Sequence, residues 1–217
     1  METAATAFVR AHTTPGPAPF VPEVTLHQAR DAFGLWEQTE RVHGGGVVCP
    51  PPFWAFAWAG GQALARYLLD NTGLVAGRDV FDLAAGSGLV AIAAAKAGAA
   101  GVAASEIDGY AAAAIALNAA VNEVSVAVHL DDVLDRDRVA ASLVLAGDVF
   151  YSAELARRVL AFLDRARAAG ATVLVGDPGR AYLPRERLAL VASYRVPVSR
   201  ALEDADVKEA TVWRLAG

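Results

Sequence analysis

At 217 residues, with 55% hydrophobic and 20% charged side chains, the chain is long enough for one domain with a large core and too apolar to stay disordered. Its net charge of −5, with no run of Lys or Arg, speaks against a grip on a nucleic-acid backbone, which needs clustered bases. A lone cysteine, Cys49, excludes an internal disulfide or a multi-cysteine metal site, and His12, His27, His43 and His129 lack ligand spacing, so no metal is expected. The N-terminus lacks a charged start followed by an apolar core, and no apolar run is long enough for a bilayer. A soluble, cytoplasmic protein with no membrane partner is expected.

In chain order, residues 1–77 read as an N-terminal extension with the first helices, and 78–217 as the core of a single 1–217 domain. In the extension, "GPAPFVP" and "GGGVVCPPP" are Pro/Gly breaks enclosing short elements. "AWAGGQALARYLLDN" is a helix that turns Leu64, Tyr67 and Leu68 inward. From residue 78 strands and helices alternate: "RDVFDLAA" is a strand, "GSGLVAIAAAKAG" a helix, "AAGVAASEI" a strand, and "DGYAAAAIALNAAVNE" a helix with Asp108 near its start. "VSVAVHL" and "ASLVLAGDVF" are the next strands. "SAELARRVLAFLDRARAAG" is a long amphipathic helix capped by Ser152 and ended by Gly170, and "ATVLVGD" a further strand. "LPRERLALVAS" is expected to be a helix with Pro184 in its first turn. "YRVPVSRAL" and "EATVWRLA" are strand-like and separated only by "EDAD", so they form an antiparallel hairpin. The fold class is α/β: a mostly parallel sheet with helices on both faces and a C-terminal antiparallel hairpin.

Ligands of such sheets sit beyond the carboxyl ends of the strands, where the strand order reverses. The loop expected there is "DLAAGSGLVA", residues 82–91, whose Gly86 and Gly88 let backbone N–H groups and a helix N-terminus approach a ligand. Glu106 ends the following strand 18 residues after Gly88, where a carboxylate takes both hydroxyls of a ribose. A nucleoside cofactor follows. "GSGLVA" also fits the dinucleotide pattern, and glycines serve plain βα turns too. Asp82, the closing hairpin, and the lack of room for a second nucleotide half favour S-adenosylmethionine.

The Asp82-x-Ala84-x-Gly86-x-Gly88 spacing resembles the first motif of the class I, seven-stranded methyltransferases, which implies a Rossmann-like, doubly wound seven-stranded sheet. Ala84 stands where that family usually has its first glycine. "FWAFAWAGGQALARYLLDN", "GDVFY", "VLVGDPGRAYL" and "TVWRL" together resemble the electron-transfer-flavoprotein β-subunit lysine methyltransferases, grouped with the nicotinamide-N-methyltransferase-like proteins. The likeness runs from "FVRAHT" to the C-terminus. It implies a protein substrate presenting a lysine. It also implies that Trp58 lines the cofactor pocket with Gly60 and Gly61 behind it, and that Asp132, or its neighbour Asp131, holds the adenine amino group. Ser87, Ile107 and Gly147, beside the residues already named, complete the expected cofactor set. Two departures fall on the substrate side: Ser152 replaces a second acid that the family often has, and "VVCPPPFWAF" differs from the family at its start.

Asp148 and Tyr151, in the family's Asp-x-x-Tyr position, are the catalytic candidates. A lysine of pKa about 10.4 must lose a proton before it attacks, at a cost of about 4 kcal/mol near pH 7.4. A carboxylate is too acidic to be its general base. Asp148 is therefore expected to capture the ammonium and steady the cation re-forming at nitrogen, with water taking the proton, while Tyr151 offers a ring face and excludes solvent. Structural alternatives stand beside these roles: Asp148 as a cap for the helix near Ser152, Phe150 as core, Trp36 and Trp54 as packing under a proline-rich loop, and Trp213 as core. Other functions would be N-methylation of a small heterocyclic amine, nucleic-acid amine methylation, or catalytically silent cofactor binding. The nucleic-acid enzymes carry two prolines where Val149 and Phe150 stand.

Overall fold

The computed structural model describes residues 2–42, 50–137, 139–199 and 205–216. His43, Cys49 and much of "GGGVVC" and of the "EDAD" loop lie outside the described residues. A seven-stranded sheet runs in the order β5-β4-β3-β6-β7-β9-β8. Its strands are β3 (Asp79–Leu83), β4 (Gly101–Glu106), β5 (Ala127–Leu130), β6 (Leu143–Gly147), β7 (Thr172–Asp177), β8 (Leu188–Pro197) and β9 (Val207–Leu215). β3 through β7 are parallel, and β9 inserts antiparallel between β7 and β8. The chain begins at β3, winds outward to β5, and returns across it to β6, so the strand order reverses between β3 and β6.

The period-two pattern of β3 sorts its side chains. Phe81 and Leu83 join Val144, Ala146, Val159, Phe162 and Leu163 in a core under α6 (Ala153–Ala168). Val80 faces the opposite layer of α3 (Ala59–Asp70) and α4 (Leu89–Lys96), with Leu64 and Leu68. The other side chain on that face is the buried Asp82. In the extension, α1 (Ala4–His12), the antiparallel hairpin β1 (Thr14–Ala18) and β2 (Val21–Gln28), and α2 (Ala32–Val42) precede α3. Phe8, Val9, Leu35 and Trp54 cover the outer face of α5 (Gly109–Val121) through Ala111, Ala114 and Leu117. The Pro/Gly break "GPAPFVP" is thus the turn of a hairpin. Asn118 and Asn122 of α5 accept from the N–H groups of His27 and Thr25 at 2.7 and 3.0 Å, which fixes β2 on that helix.

The caps stand where the sequence puts them. Asp108 accepts from the N–H of Tyr110, Ser152 from that of Leu155, and Gly170 ends α6 at φ 96°. One expectation is overturned. "LPRERLALVAS" forms no α-helix: a single 3-10 turn at Arg185–Arg187 leads straight into the ten-residue strand β8. Pairing with β9 from Leu188 to Pro197 outweighs a local helical preference worth only tenths of a kcal/mol per residue. The apolar spacing that reads as a helix face arises because β8 is an edge strand with a register shift near Leu190, whose side chain is exposed. Among the described residues no helix is long and apolar enough to cross a membrane.

Candidate active site

At the reversal point between β3 and β6 a cleft of about 530 Å³ opens. Asp82, Ala84, Gly86, Ser87, Glu106, Ile107, Asp131, Asp132, Gly147, Asp148, Tyr151 and Trp58 all border it. Gly88 does not. It is the N-cap of α4 at φ 77°, and a side chain there would meet Ile115 at 3.1 Å, so it sets how closely α4 packs on α5.

The two strand-end acids share one device. Gly88 has no side chain to cap α4, and Asp82 does so from β3: its Oδ2 accepts from the N–H of Ala91 at 2.9 Å. Trp58, the N-cap of α3, makes no side-chain cap either. Asp148 supplies that one from the end of β6, its Oδ2 accepting from the N–H of Gly61 at 2.8 Å. Each carboxylate thus meets the positive end of a helix. Burial nonetheless pushes the Asp82 carboxyl up to about 8, against the opposing Ala91 bond, and nearby Glu106 adds to the rise. Asp148 is therefore a cap, but of α3 and not of the helix at Ser152.

Asp148 is engaged on its other oxygen as well. The guanidinium of Arg180 donates to Oδ1 at 2.8 Å, and the same guanidinium lies over the Trp58 ring, 5.5 Å from its centroid. Burial raises the Asp148 carboxyl to about 6, a rise that Arg180 and the Gly61 bond partly oppose. Arg180 is held from below by Asp177, whose Oδ1 accepts from the N–H groups of Gly179 and Arg180 at 2.6 and 2.7 Å. Asp148 itself sits at φ 57°, a left-handed conformation that short polar side chains tolerate better than most. Ala84, at φ 51°, has no such excuse and carries strain of about 1 kcal/mol where a glycine would carry none.

Beside the glycine loop, Glu106 accepts from the N–H of Gly86 at 2.7 Å and of Ile107 at 3.0 Å. Burial raises its carboxyl above the usual range. Asn118 steadies the same loop by donating to the Ser87 carbonyl at 2.8 Å. At the far end Asp132 accepts from the Leu134 N–H and pairs with Arg158 at 2.9 Å, which hold its carboxyl low, while Asp131 pairs with Arg136. Both acids border the cleft. The rim above Asp148 is aromatic: Phe53 stands 5.7 Å from both Trp58 and Tyr151, and Tyr151 is 51% exposed. Trp54 and Phe150 are fully buried, and Trp213 is half-buried with its Nε1 donating to Thr211.

Along 213 residues the chain is 36% identical to the electron transfer flavoprotein beta subunit lysine methyltransferase of Xenopus laevis, covering 95% of this chain and 85% of that one. The Danio rerio protein of the same name is 39% identical over 199 residues, 89% of this chain and 76% of that one. The chain belongs to the electron transfer flavoprotein β-subunit lysine methyltransferase family. Residues 62–171 also match the family model of ribosomal protein L11 methyltransferase (PrmA). Among solved structures, the ribosomal protein L11 methylase of Lactobacillus delbrueckii subsp. bulgaricus superposes with a TM-score of 0.51 at 21% identity, over 73% of this chain and 79% of that one, a likeness of fold.

The family's cofactor is S-adenosylmethionine, and the site fits it. The cleft volume lies within the range of small-ligand pockets. Glu106 brings a carboxylate to the cleft at the end of β4, and a side chain added at Gly86 would meet nothing within 4 Å, so the loop backbone faces open space. Glu106→Ala should weaken cofactor binding by about 1–3 kcal/mol, the cost of losing charge-assisted hydrogen bonds. Calorimetry on folded protein measures it, and equal affinities would take the ribose away from Glu106.

Arg158 and Asn118 were not legible as site residues, while Phe53 and Arg180 lie in the stretches "VVCPPPFWAF" and "VLVGDPGRAYL" without having been singled out. For Arg180 a signal existed: "GDPG" is a tight turn directly after the strand beside β6, which brings the next side chain back over that edge. Ser152, the departure from the family's second acid, caps α6 by accepting from the Leu155 N–H.

Proposed function

We propose that this member of the family methylates lysine side chains on a folded protein, with the electron transfer flavoprotein β-subunit as target. The observation that carries the reading is the likeness to relatives of that name over 95% and 89% of this chain, which takes in the cleft-lining stretches on both the cofactor and the substrate side. When bound, S-adenosylmethionine supplies an electrophilic methyl: the amine lone pair takes it, the carbon–sulfur pair stays on sulfur, and the surplus proton goes to water.

The protein's part is position and charge. Asp148 brings a carboxylate to the cleft, suited to balance the cation that develops on nitrogen, and the Phe53, Trp58 and Tyr151 rim gives an alkyl-amine stem an apolar approach. The acidic balance of the chain favours protein over nucleic acid, and a single cysteine suits the reducing cytoplasm. The test is to incubate the enzyme with methyl-labelled cofactor, purified electron transfer flavoprotein and a lysate of the same organism. Label should enter lysines of the β-subunit. Label confined to nucleic acid or to small metabolites overturns the proposal.

A further inference from the structure

Arg180 places a permanent cation where the reacting amine must arrive. Its guanidinium holds Asp148 Oδ1 at 2.8 Å and covers the Trp58 ring, and it borders the cleft beside Tyr151. An amine drawn to Asp148 therefore meets a carboxylate that is already neutralised. Each carboxylate oxygen keeps a lone pair beyond its present bond, so the amine has a seat without displacing Arg180. Among the described residues, other titratable groups also face this point. Asp177 is a buried carboxylate whose charge Arg180 and Arg185 oppose, Arg185 lies against the same turn, burial raises the Tyr151 hydroxyl, and Asp82 is raised to about 8. Glu106 lies beside the glycine loop and binds the Gly86 N–H.

We infer that Arg180 serves the methyl transfer by disfavouring the ammonium form of the entering lysine, so that the neutral amine is the species held at Asp148. The inference rests on the lysine-methylation reading. Its physics is simple. A lone Asp148 would bind the substrate as a tight ion pair and raise its basicity, deepening the cost of deprotonation. A second cation at about 4–6 Å acts the other way. The ammonium carries a full charge and the transition state only part of one, so Arg180 penalises the unreactive form more. The proton lost goes to water, and Arg180 exchanges none.

The test is kcat against pH for wild type, Arg180→Gln and Arg180→Lys, on the β-subunit, with cofactor affinity measured by calorimetry as a control. Wild-type turnover should rise with pH to a plateau at a midpoint below free lysine. A substrate carrying the less basic S-aminoethylcysteine at the target position should lower that midpoint, assigning it to the amine. Arg180→Gln should raise the midpoint by roughly one to three units and cut the rate at neutral pH about tenfold per unit, with the high-pH plateau undiminished. Arg180→Lys should keep the wild-type midpoint. An unmoved midpoint with a lowered plateau in Arg180→Gln shows that Arg180 only props Asp148 and overturns the inference. Should Arg180→Gln fail to fold, Arg180→Met, which keeps an unbranched stem beside Trp58, carries the same comparison. Wild type that leaves the β-subunit unlabelled overturns the lysine reading itself, a result distinct from turnover with an unshifted profile.

Discussion

Gly60→Ala should destabilise the protein by about 3 kcal/mol or more, although helix propensity alone predicts a gain of up to about 1 kcal/mol at a position inside α3. The reason is the distance between two backbones. A β-carbon at Gly60 would lie 2.4 Å from the Gly176 carbonyl oxygen and 2.6 Å from Asp148 Oδ2, and one at Gly176 would lie 2.1 Å from the Gly60 carbonyl oxygen. The carbonyl oxygens are backbone and the Asp148 carboxylate is pinned on both oxygens, so α3 and the end of β7 must part. That separation breaks the Gly61-to-Asp148 bond and strains the one that Asp148 N–H makes to the Gly176 carbonyl at 2.9 Å. Gly61→Ala is the control one residue away, where a β-carbon meets only a Val90 methyl at 3.8 Å. Thermal melts of the two variants should differ in sign, with Gly60→Ala falling by roughly 6–12 °C at this chain length. A Gly60→Ala protein as stable as wild type would mean that the close approach of α3 to β7 is not what seats Asp148.

That contact also shows why some of the site was readable in the sequence and some was not. The glycine loop, Glu106 and Asp148 lie at the ends of strands that are apolar on both faces, so a polar residue there is conspicuous, and its place at one edge of a parallel sheet follows from topology. What joins these residues is not periodic. Asp148 meets Gly61 across 87 positions and Arg180 across 32, and nothing in local pattern links a strand end to the first turn of an earlier helix. Strand β8 carries the same lesson at the level of the fold: it begins at Leu188, ahead of the strand-like stretch "YRVPVSRAL" that starts at Tyr194. Its residues Leu188–Pro197 take their conformation from pairing with β9, a partner that local propensity does not see. The hairpin β1–β2 was missed because its turn chemistry resembles a plain break until Asn118 and Asn122 hold β2 down on α5.

Asp148→Asn should lower kcat about 10²-fold or more, the usual loss when one electrostatic stabiliser is removed, while cofactor affinity changes far less. Asparagine keeps the size of the side chain and tolerates the left-handed φ of 57°, so the backbone need not move. It cannot keep both contacts. One amide oxygen accepts from either the Gly61 N–H or Arg180, and the amide nitrogen then confronts the other donor. The charge that balances a developing cation is gone in either orientation. The pH profile separates this loss from simple disruption. With its carboxyl raised to about 6, wild-type Asp148 gains a proton and loses its charge as pH falls through that value, so turnover should fall on the acid side. In Asp148→Asn that acid limb should vanish, since the residue no longer titrates, and the remaining slow turnover should follow the substrate amine alone. An acid limb that persists in Asp148→Asn would belong to another group, with Asp82, Glu106 and Asp177 the raised carboxyls to try next. Full turnover per bound cofactor would reduce Asp148 to the cap of α3, and the charge balance at the reacting nitrogen would have to come from elsewhere in the cleft.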